Sequence, residues 1–280
     1  MIFDVSAELT YTVLSPSTLI LNIQPFKSPG QYVIEEHFSC SSNVKMYEWV
    51  APIAEKRFRV LEIIKEEELT FTYKGKIETQ LRTIDAAQLD DVPISLMPVS
   101  VLPYLNPSRY CQSDKLYKFA ADKFATIENT YEKVIAVRDW IFNNVAYSAG
   151  HTTPQTSAFD TVTELIGVCR DFAHLGIAIC RALTIPARYY TGYAYQLQPP
   201  DFHACFEVYL GGHWLIVDAT KLVPVNGLVK IATGFDATDT ALASSFGNLS
   251  FKSMKVVIDF AGDVFEPVDG DSLLQGYSYY

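Results

Sequence analysis

The stretch Gly167-Val168-Cys169-Arg170-Asp171-Phe172-Ala173 decides how the rest of this chain is interpreted. The glycine breaks the preceding segment, and a helix is predicted to begin at Cys169 and run to Leu183. A helix start offers free backbone N–H groups and the positive end of the macrodipole, which favour thiolate over thiol. Cys169 is therefore predicted to be reactive, whereas Cys180, in the middle of the same helix, is expected to be core.

A hairpin downstream supplies a base and a carboxylate. Gly211-Gly212 separates two apolar strands, as in a two-residue primed turn. With these glycines as the loop, Cys205 lies opposite Asp218, and His203 is a diagonal neighbour of Asp218, roughly 7 Å away at Cβ. A His–Asp hydrogen bond is then expected. The hairpin face with these residues is expected to hold the catalytic site. The other face is expected to be buried in the core and consists of Ala204, Phe206, Val208, Leu210, Leu215 and Val217.

Cysteine, histidine and aspartate together are typical of a thiol acyl-transfer site, in which the histidine takes a proton and the aspartate orients it. Cys205 is a rival nucleophile, but a position in mid-strand gives it no helix dipole. A zinc site built from Cys169, Cys180, His203 and Cys205 is the alternative use, yet no Cys-x-x-Cys pair or short Cys/His spacing supports it. Phosphate-binding and dinucleotide fingerprints are also missing from the sequence. No metal and no cofactor are predicted.

Composition and charge exclude several classes of partner. The chain has 280 residues and a net charge of -10, which argues against binding a phosphate backbone, so no nucleic-acid partner is predicted. No apolar run of about 18 residues and no secretory signal are visible, so no membrane association is expected. Five cysteines are an odd number and are too few in a chain of this length for a disulfide framework. A cytoplasmic protein is expected, with its oligomeric state left open.

The sequence divides into three predicted parts. Residues 1–105 are rich in short β-branched and aromatic runs between turn signals, which predicts an antiparallel β-sandwich. Residues 106–265 begin after a proline-rich connection and hold amphipathic helices followed by strands, which predicts an α+β catalytic core. Residues 266–280 are expected to be a loose C-terminal tail.

At these motifs the chain resembles the transglutaminase-like superfamily, in particular the bacterial transglutaminase-like cysteine proteases with an N-terminal β domain. The resemblance is carried, in order, by segments 139–147, 167–173, 185–193, 203–209 and 214–220. It implies a papain-like α+β core, with Cys169 as nucleophile, His203 as general base and acid, and Asp218 as orienter. Where the family commonly has tryptophan two residues after the histidine, this chain has Cys205. The substitution changes the wall beside the imidazole and affects substrate preference more than catalysis, so Cys205 is expected to lie next to the substrate.

Three functions are compatible with these residues. Hydrolysis of peptide or carboxamide bonds in a peptide or protein substrate is the main prediction. Protein-glutamine transglutamination or deamidation is an alternative that uses the same acyl-enzyme. A non-catalytic scaffold with a vestigial site is an alternative of another class. The Cys169 N–H is expected to be one oxyanion donor, with Tyr147 as a candidate for the second.

Overall fold

The computed structural model describes residues 1–51 and 55–280. In its first part the strands are β1 (Ile2–Val13), β2 (Ser17–Leu21), β3 (Gln31–Cys40), β4 (Lys45–Val50), β5 (Arg57–Ile63), β6 (Glu68–Thr79) and β7 (Arg82–Asp85). Then follow α1 (Ser113–Phe124), α2 (Thr130–Asn144), β8 (Ala146–Tyr147), α3 (Ala158–Glu164), β9 (Ile166–Gly167), α4 (Cys169–Ala182), β10 (Ala187–Ala194), β11 (Phe202–Leu210), β12 (His213–Val217), β13 (Leu228–Gly234), β14 (Ala243–Phe246), β15 (Leu249–Phe260) and β16 (Gln275–Ser278).

Two four-stranded sheets form the predicted β-sandwich. One has the order β15-β1-β6-β3, the other β14-β2-β5-β4, and their pairings are antiparallel. Alternate residues of β1 point inward, as the two-residue period of a strand requires. The sandwich core contains the side chains of Phe3, Val5, Leu9, Leu19, Leu21, Leu61, Leu69 and Phe71.

The second core is an antiparallel sheet of order β12-β11-β10-β13 with α4 packed against it. A Cβ on Gly176 would lie 2.4 Å from the Phe206 ring, so this glycine lets α4 approach β11 closely. All six residues predicted for the core face of the hairpin belong to the cluster between helix and sheet. The α+β class is therefore confirmed. The close packing fixes the position of the N-terminal end of α4 over the sheet.

The predicted domain limits do not match the sheets. Strands β14 and β15 lie within residues 106–265, but they complete the two sheets of the sandwich, where β15 pairs with β1 and β14 with β2. Tyr11, for example, lies opposite Phe251. Pairings between residues so distant in sequence leave no local signal. The chain thus leaves the sandwich, builds the second core and returns.

The C-terminal residues are not the loose end that was predicted. Strand β16 pairs with β7, and Tyr279 is fully buried, with its hydroxyl donating to the carbonyls of Val225 and Leu228 at 3.0 and 2.9 Å. Tyr277 and Tyr279 pack in the same cluster as Cys205. This segment therefore helps to cover the sheet face that was expected to be open. The end of β11 with His203 instead lines a cavity.

A network of charged side chains is buried on this covered face. Glu207 accepts a hydrogen bond from Arg188 Nε at 2.6 Å, and Lys230 Nζ lies 2.8 Å from its other carboxylate oxygen. Glu55 pairs with both cations, at 3.1 and 3.2 Å. The Tyr280 hydroxyl accepts from Arg188 and Lys230 at 3.0 and 2.8 Å. Two carboxylates balance two cations, as burial of charge requires.

Candidate active site

Cys169 lies at the helix start, as predicted. It is the first residue of α4, so its N–H has no acceptor within the helix. The Val168 N–H donates to the Asp171 carboxylate at 2.9 Å, and Asp171 is fully buried. A Cβ on Gly167 would lie 2.7 Å from the Asp171 Cβ, so glycine leaves room for this carboxylate. The Cys169 side chain itself remains partly exposed.

The predicted hydrogen bond between His203 and Asp218 is present. The hairpin has the expected register, with Leu210 opposite His213 and Phe206 opposite Val217. His203 Nε2 lies 2.8 Å from Asp218 Oδ2, and both side chains are buried. The other ring nitrogen, Nδ1, is buried and makes no hydrogen bond with a described residue. With Nε2 held by the carboxylate, Nδ1 is the nitrogen left to exchange a proton.

Charges around the imidazole favour its protonated form. Burial of His203 opposes protonation, but the Asp218 carboxylate and the sulfur of Cys169 outweigh it and raise the pKa of His203 to about 10. Burial would raise the pKa of Asp218, yet His203 and the Thr220 donors lower it. An anionic carboxylate therefore faces a cationic ring at neutral pH. The Cys169 sulfur is close enough to contribute to this balance.

Cys169 and His203 line one cavity of about 420 Å³ at the end of the sheet. Asp218 lies behind the imidazole, and its hydrogen bond to Nε2 holds the ring from the buried side. Three residues that are distant in sequence are thus collected at one place. The thiol is partly exposed, whereas the ring and the carboxylate are both buried. An accessible thiol beside a ring that a carboxylate holds is the arrangement that nucleophilic catalysis with an oriented base needs.

Tyr147 lies next to the thiol. Strand β8 pairs in parallel with β9, which places Tyr147 beside Gly167, and its ring packs against Phe172 at 5.6 Å between centroids. Burial and the Cys169 sulfur raise the pKa of Tyr147 to about 12, and the Cys169 N–H partly offsets them. The phenol is therefore protonated at neutral pH and can donate. Its role as the second oxyanion donor stays a prediction.

Cys205 does not contact the cavity. It pairs with Tyr190 in the sheet, is fully buried and belongs to the cluster covered by the C-terminal segment. Its side chain points to the face opposite Ala204, which does line the cavity. The expectation that it lies beside the substrate is thus not met by the geometry. Burial raises its pKa well above the ordinary value, so it is a poor rival nucleophile.

The other thiols are less suited to react than Cys169. All five cysteines are free. Burial raises the pKa of Cys111 and of Cys180 to about 12, and it also raises that of Cys40. Within residues 1–51 and 55–280, no group of three or more His, Cys, Asp or Glu side chains is arranged to hold a metal ion. In the same residues no helix is long and apolar enough to cross a membrane.

Two supporting residues had escaped the sequence reasoning. Thr220 donates its N–H and its hydroxyl to Asp218 Oδ1 at 2.9 and 2.8 Å, and this fixes the carboxylate. The sequence could have indicated this contact, because an aspartate side chain commonly accepts a hydrogen bond from the backbone N–H two residues later. His174 accepts the N–H of Ala237, a residue of the cavity wall, at 3.1 Å. Burial lowers the pKa of His174 to about 3, so it stays neutral.

Comparisons with known proteins match both parts of the chain. Residues 117–219 match the profile of the transglutaminase-like superfamily, and residues 1–100 match that of the bacterial transglutaminase N-terminal domain. A crystal structure from Cytophaga hutchinsonii, described as that of a candidate cysteine protease, is similar over 99% of this chain and 97% of its own, with 49% identity and a TM-score of 0.96.

Curated relatives are more distant. An uncharacterised protein of Mycobacterium leprae is 24% identical over 203 residues, which are 69% of this chain and 73% of that protein. An uncharacterised protein of Mycobacterium tuberculosis is 30% identical over 209 residues, which are 69% of this chain and 64% of its own length. These relatives extend the similarity but name no activity.

Proposed function

Because this chain belongs to the transglutaminase-like superfamily, we propose that it is an enzyme that cleaves peptide or carboxamide bonds through an acyl-enzyme on Cys169, with water as the final acceptor. The family and the relative described as a cysteine protease support the status of an enzyme. The observation that carries the finer proposal is the His203 ring, held by Asp218 through Nε2 while its buried Nδ1 is free, in the same cavity as Cys169.

The first half of the reaction forms the thioester. The Cys169 thiolate attacks the carbonyl carbon, and the oxygen of the tetrahedral intermediate is stabilised by the Cys169 N–H and by the Tyr147 hydroxyl. A donor of this kind contributes on the order of 3 kcal/mol to the transition state. The carbon–nitrogen bond then breaks while His203 Nδ1–H protonates the leaving amine. Asp218 keeps the ring oriented and stabilises its charge.

The second half releases the acid. His203, now neutral, takes a proton from water as the oxygen attacks the thioester, and the carbon–sulfur bond breaks to return the thiolate. Water is favoured as the acceptor because the thiol is partly exposed and Tyr147 beside it is 47% exposed. The cavity also contains polar side chains, among them Arg170, Thr191 and Thr240, which can bind water. An amine acceptor would give cross-linking by the same intermediate.

A peptide library tests the proposed reaction. Wild-type protein is incubated with the library, with and without an added primary amine, and the products are analysed by mass spectrometry. Cleavage, deamidation and amine transfer each change the peptide mass differently. We expect cleavage or deamidation as the main product in both samples, and none with Cys169→Ala. Amine adducts as the main product would favour transglutamination, and activity that persists in Cys169→Ala would refute the nucleophile.

Thiol labelling of the wild type separates catalysis from a scaffold role. Under the proposal, iodoacetamide labels Cys169 much faster than the four other thiols, whose pKa values are all raised. Three of those thiols are buried and should react slowly in either case, so the informative comparison is with Cys40, which is partly exposed like Cys169. Equal, slow labelling of Cys40 and Cys169 would therefore favour the scaffold.

A further inference from the structure

A second cavity adjoins the one that holds the thiol. Its volume is about 320 Å³, and it lies between the loop 195–201 and strand β15 of the sandwich. Asp201 lines both cavities. Strand β15 also contributes to both, with Met254 in the first and residues 256–259 in the second. The two cavities, together called the groove, thus share Asp201 as a wall residue.

The wall made by β15 suits an extended chain. This strand is at the edge of its sheet, with β1 as its one ladder partner among the described residues. Four consecutive residues, 256–259, line the second cavity. Consecutive side chains of a strand point to opposite faces of the sheet. Four consecutive residues can therefore line one cavity only if the cavity lies along the edge of the strand. Edge strands offer unpaired N–H and C=O groups to an extended peptide.

The opposite wall is fixed to the sandwich. Tyr195 packs against Phe265 and Phe260 at 4.9 and 6.3 Å between ring centroids, which anchors the start of the loop. The apolar lining of the cavity is supplied by Leu197, Val256 and Ile258. Such a surface suits the aliphatic part of a long side chain.

The charge of the groove is negative at the junction. Asp201 and Asp259 line the second cavity, which has no lysine or arginine in its wall. The hydrogen bond that Asp201 accepts within the described residues comes from the Phe202 N–H at 2.7 Å. Arg170, in the first cavity, is engaged with Asp171 at 3.1 Å and with the Thr153 carbonyl at 2.7 Å. Burial raises the pKa of Asp201, and the Phe202 N–H and the charge of His203 partly offset this effect.

We propose that Asp201 selects peptide substrates in which the residue that supplies the attacked carbonyl is lysine or arginine. The peptide lies extended along the edge of β15 with the attacked carbonyl at Cys169 in the first cavity, and the side chain of that residue reaches the junction, where its cation meets Asp201. This assignment rests on the proposed function of Cys169 and names the substrate class of that site.

Two matched reagents test the selectivity without a known substrate. N-protected lysyl and norleucyl chloromethyl ketones differ in the terminal ammonium, and each alkylates a thiolate with loss of chloride. The labelling rate of Cys169 is followed by mass spectrometry. We expect the lysyl reagent to be faster by about fivefold in wild type, as for a partly exposed ion pair. In Asp201→Asn the ratio should fall to near one, since asparagine can keep the Phe202 hydrogen bond but has no charge.

The control is Asp122→Asn, which removes an exposed charge on α1 outside the groove. It should keep the wild-type ratio. The ratio of the two rates within each variant is the readout, because both reagents depend in the same way on the thiol. A wild-type ratio near one, or a ratio that survives in Asp201→Asn, overturns the assignment while leaving Cys169 as the nucleophile. If neither reagent labels Cys169, the proposed function fails, and the substrate class fails with it.

Discussion

Replacement of Asp218 by asparagine should change the pH dependence of the thiol while leaving the local structure in place. Asparagine has nearly the same shape, and its oxygen can still accept the two hydrogen bonds from Thr220. What disappears is the negative charge 2.8 Å from His203 Nε2. Burial of the ring, which lowers the pKa of His203, is then no longer opposed by the charge of Asp218.

The size of the effect follows from the His203 pKa. In the wild type it is raised from 6.5 to about 10, and each unit corresponds to about 1.4 kcal/mol, so the site favours the charged ring by about 5 kcal/mol. The imidazolium therefore persists until the pH rises through about 10. In Asp218→Asn the pKa should fall towards the ordinary value or below it, and the thiol loses its cationic partner in the neutral range.

The assay is the rate of iodoacetamide labelling of Cys169 between about pH 6 and about pH 9, measured by peptide mapping. Labelling should be slower in Asp218→Asn than in wild type by about a hundredfold near pH 7, where the wild-type ring is charged and the variant ring is not. The ratio of the two rates should change with pH as the ring titrates. Asp122→Asn, an exposed change elsewhere, should behave as wild type. Parallel pH profiles for wild type and Asp218→Asn would refute the reasoning.

Other predictions concern stability and rate. The charged His203 stabilises the fold, because its pKa is higher in the folded than in the unfolded state. This stabilisation should be complete below pH 6.5 and be lost as pH rises through about 10. Denaturant titrations at several pH values should show this fall in the free energy of unfolding for wild type but not for Asp218→Asn. Glu207→Gln leaves two buried cations with one carboxylate and should lower the free energy of unfolding by about 3–5 kcal/mol. Glu132→Gln, the control at an exposed position, should leave the free energy of unfolding almost unchanged. Tyr279→Ala should cost about 3–5 kcal/mol in the same titration, whereas a loose tail would cost nothing. Tyr147→Phe should lower kcat about a hundredfold at unchanged KM if its hydroxyl is an oxyanion donor, and an unchanged kcat would exclude that role.

The parts of the site that local sequence rules determine could be predicted. Gly211 and Gly212 adopt positive φ angles of 55° and 85°, the conformation that a primed hairpin turn requires, and this turn fixes the register that brings His203 to Asp218. The start of α4 at Cys169 follows from the glycine before it and the acidic residue after it. Both features depend on residues within a few positions of one another.

The parts that depend on distant pairing could not be predicted. Nothing near β15 indicates that it returns to β1, and nothing near Tyr279 indicates that it fills the sheet face beside Cys205. The hairpin pattern alone indicated that the sheet has two faces and predicted catalytic residues on one of them. The C-terminal segment covers most of that face, and the cavities lie at the strand end with His203 and along β15.

The central claim is that substrate becomes covalently attached to the sulfur of Cys169. Wild type and Cys169→Ala are mixed with p-nitrophenyl acetate, quenched in acid, digested and analysed by mass spectrometry. The account predicts a burst of nitrophenol and an acetyl group on the peptide that contains Cys169, and neither in Cys169→Ala. An acetyl group on another residue during the burst, or an equal burst from Cys169→Ala, would contradict it.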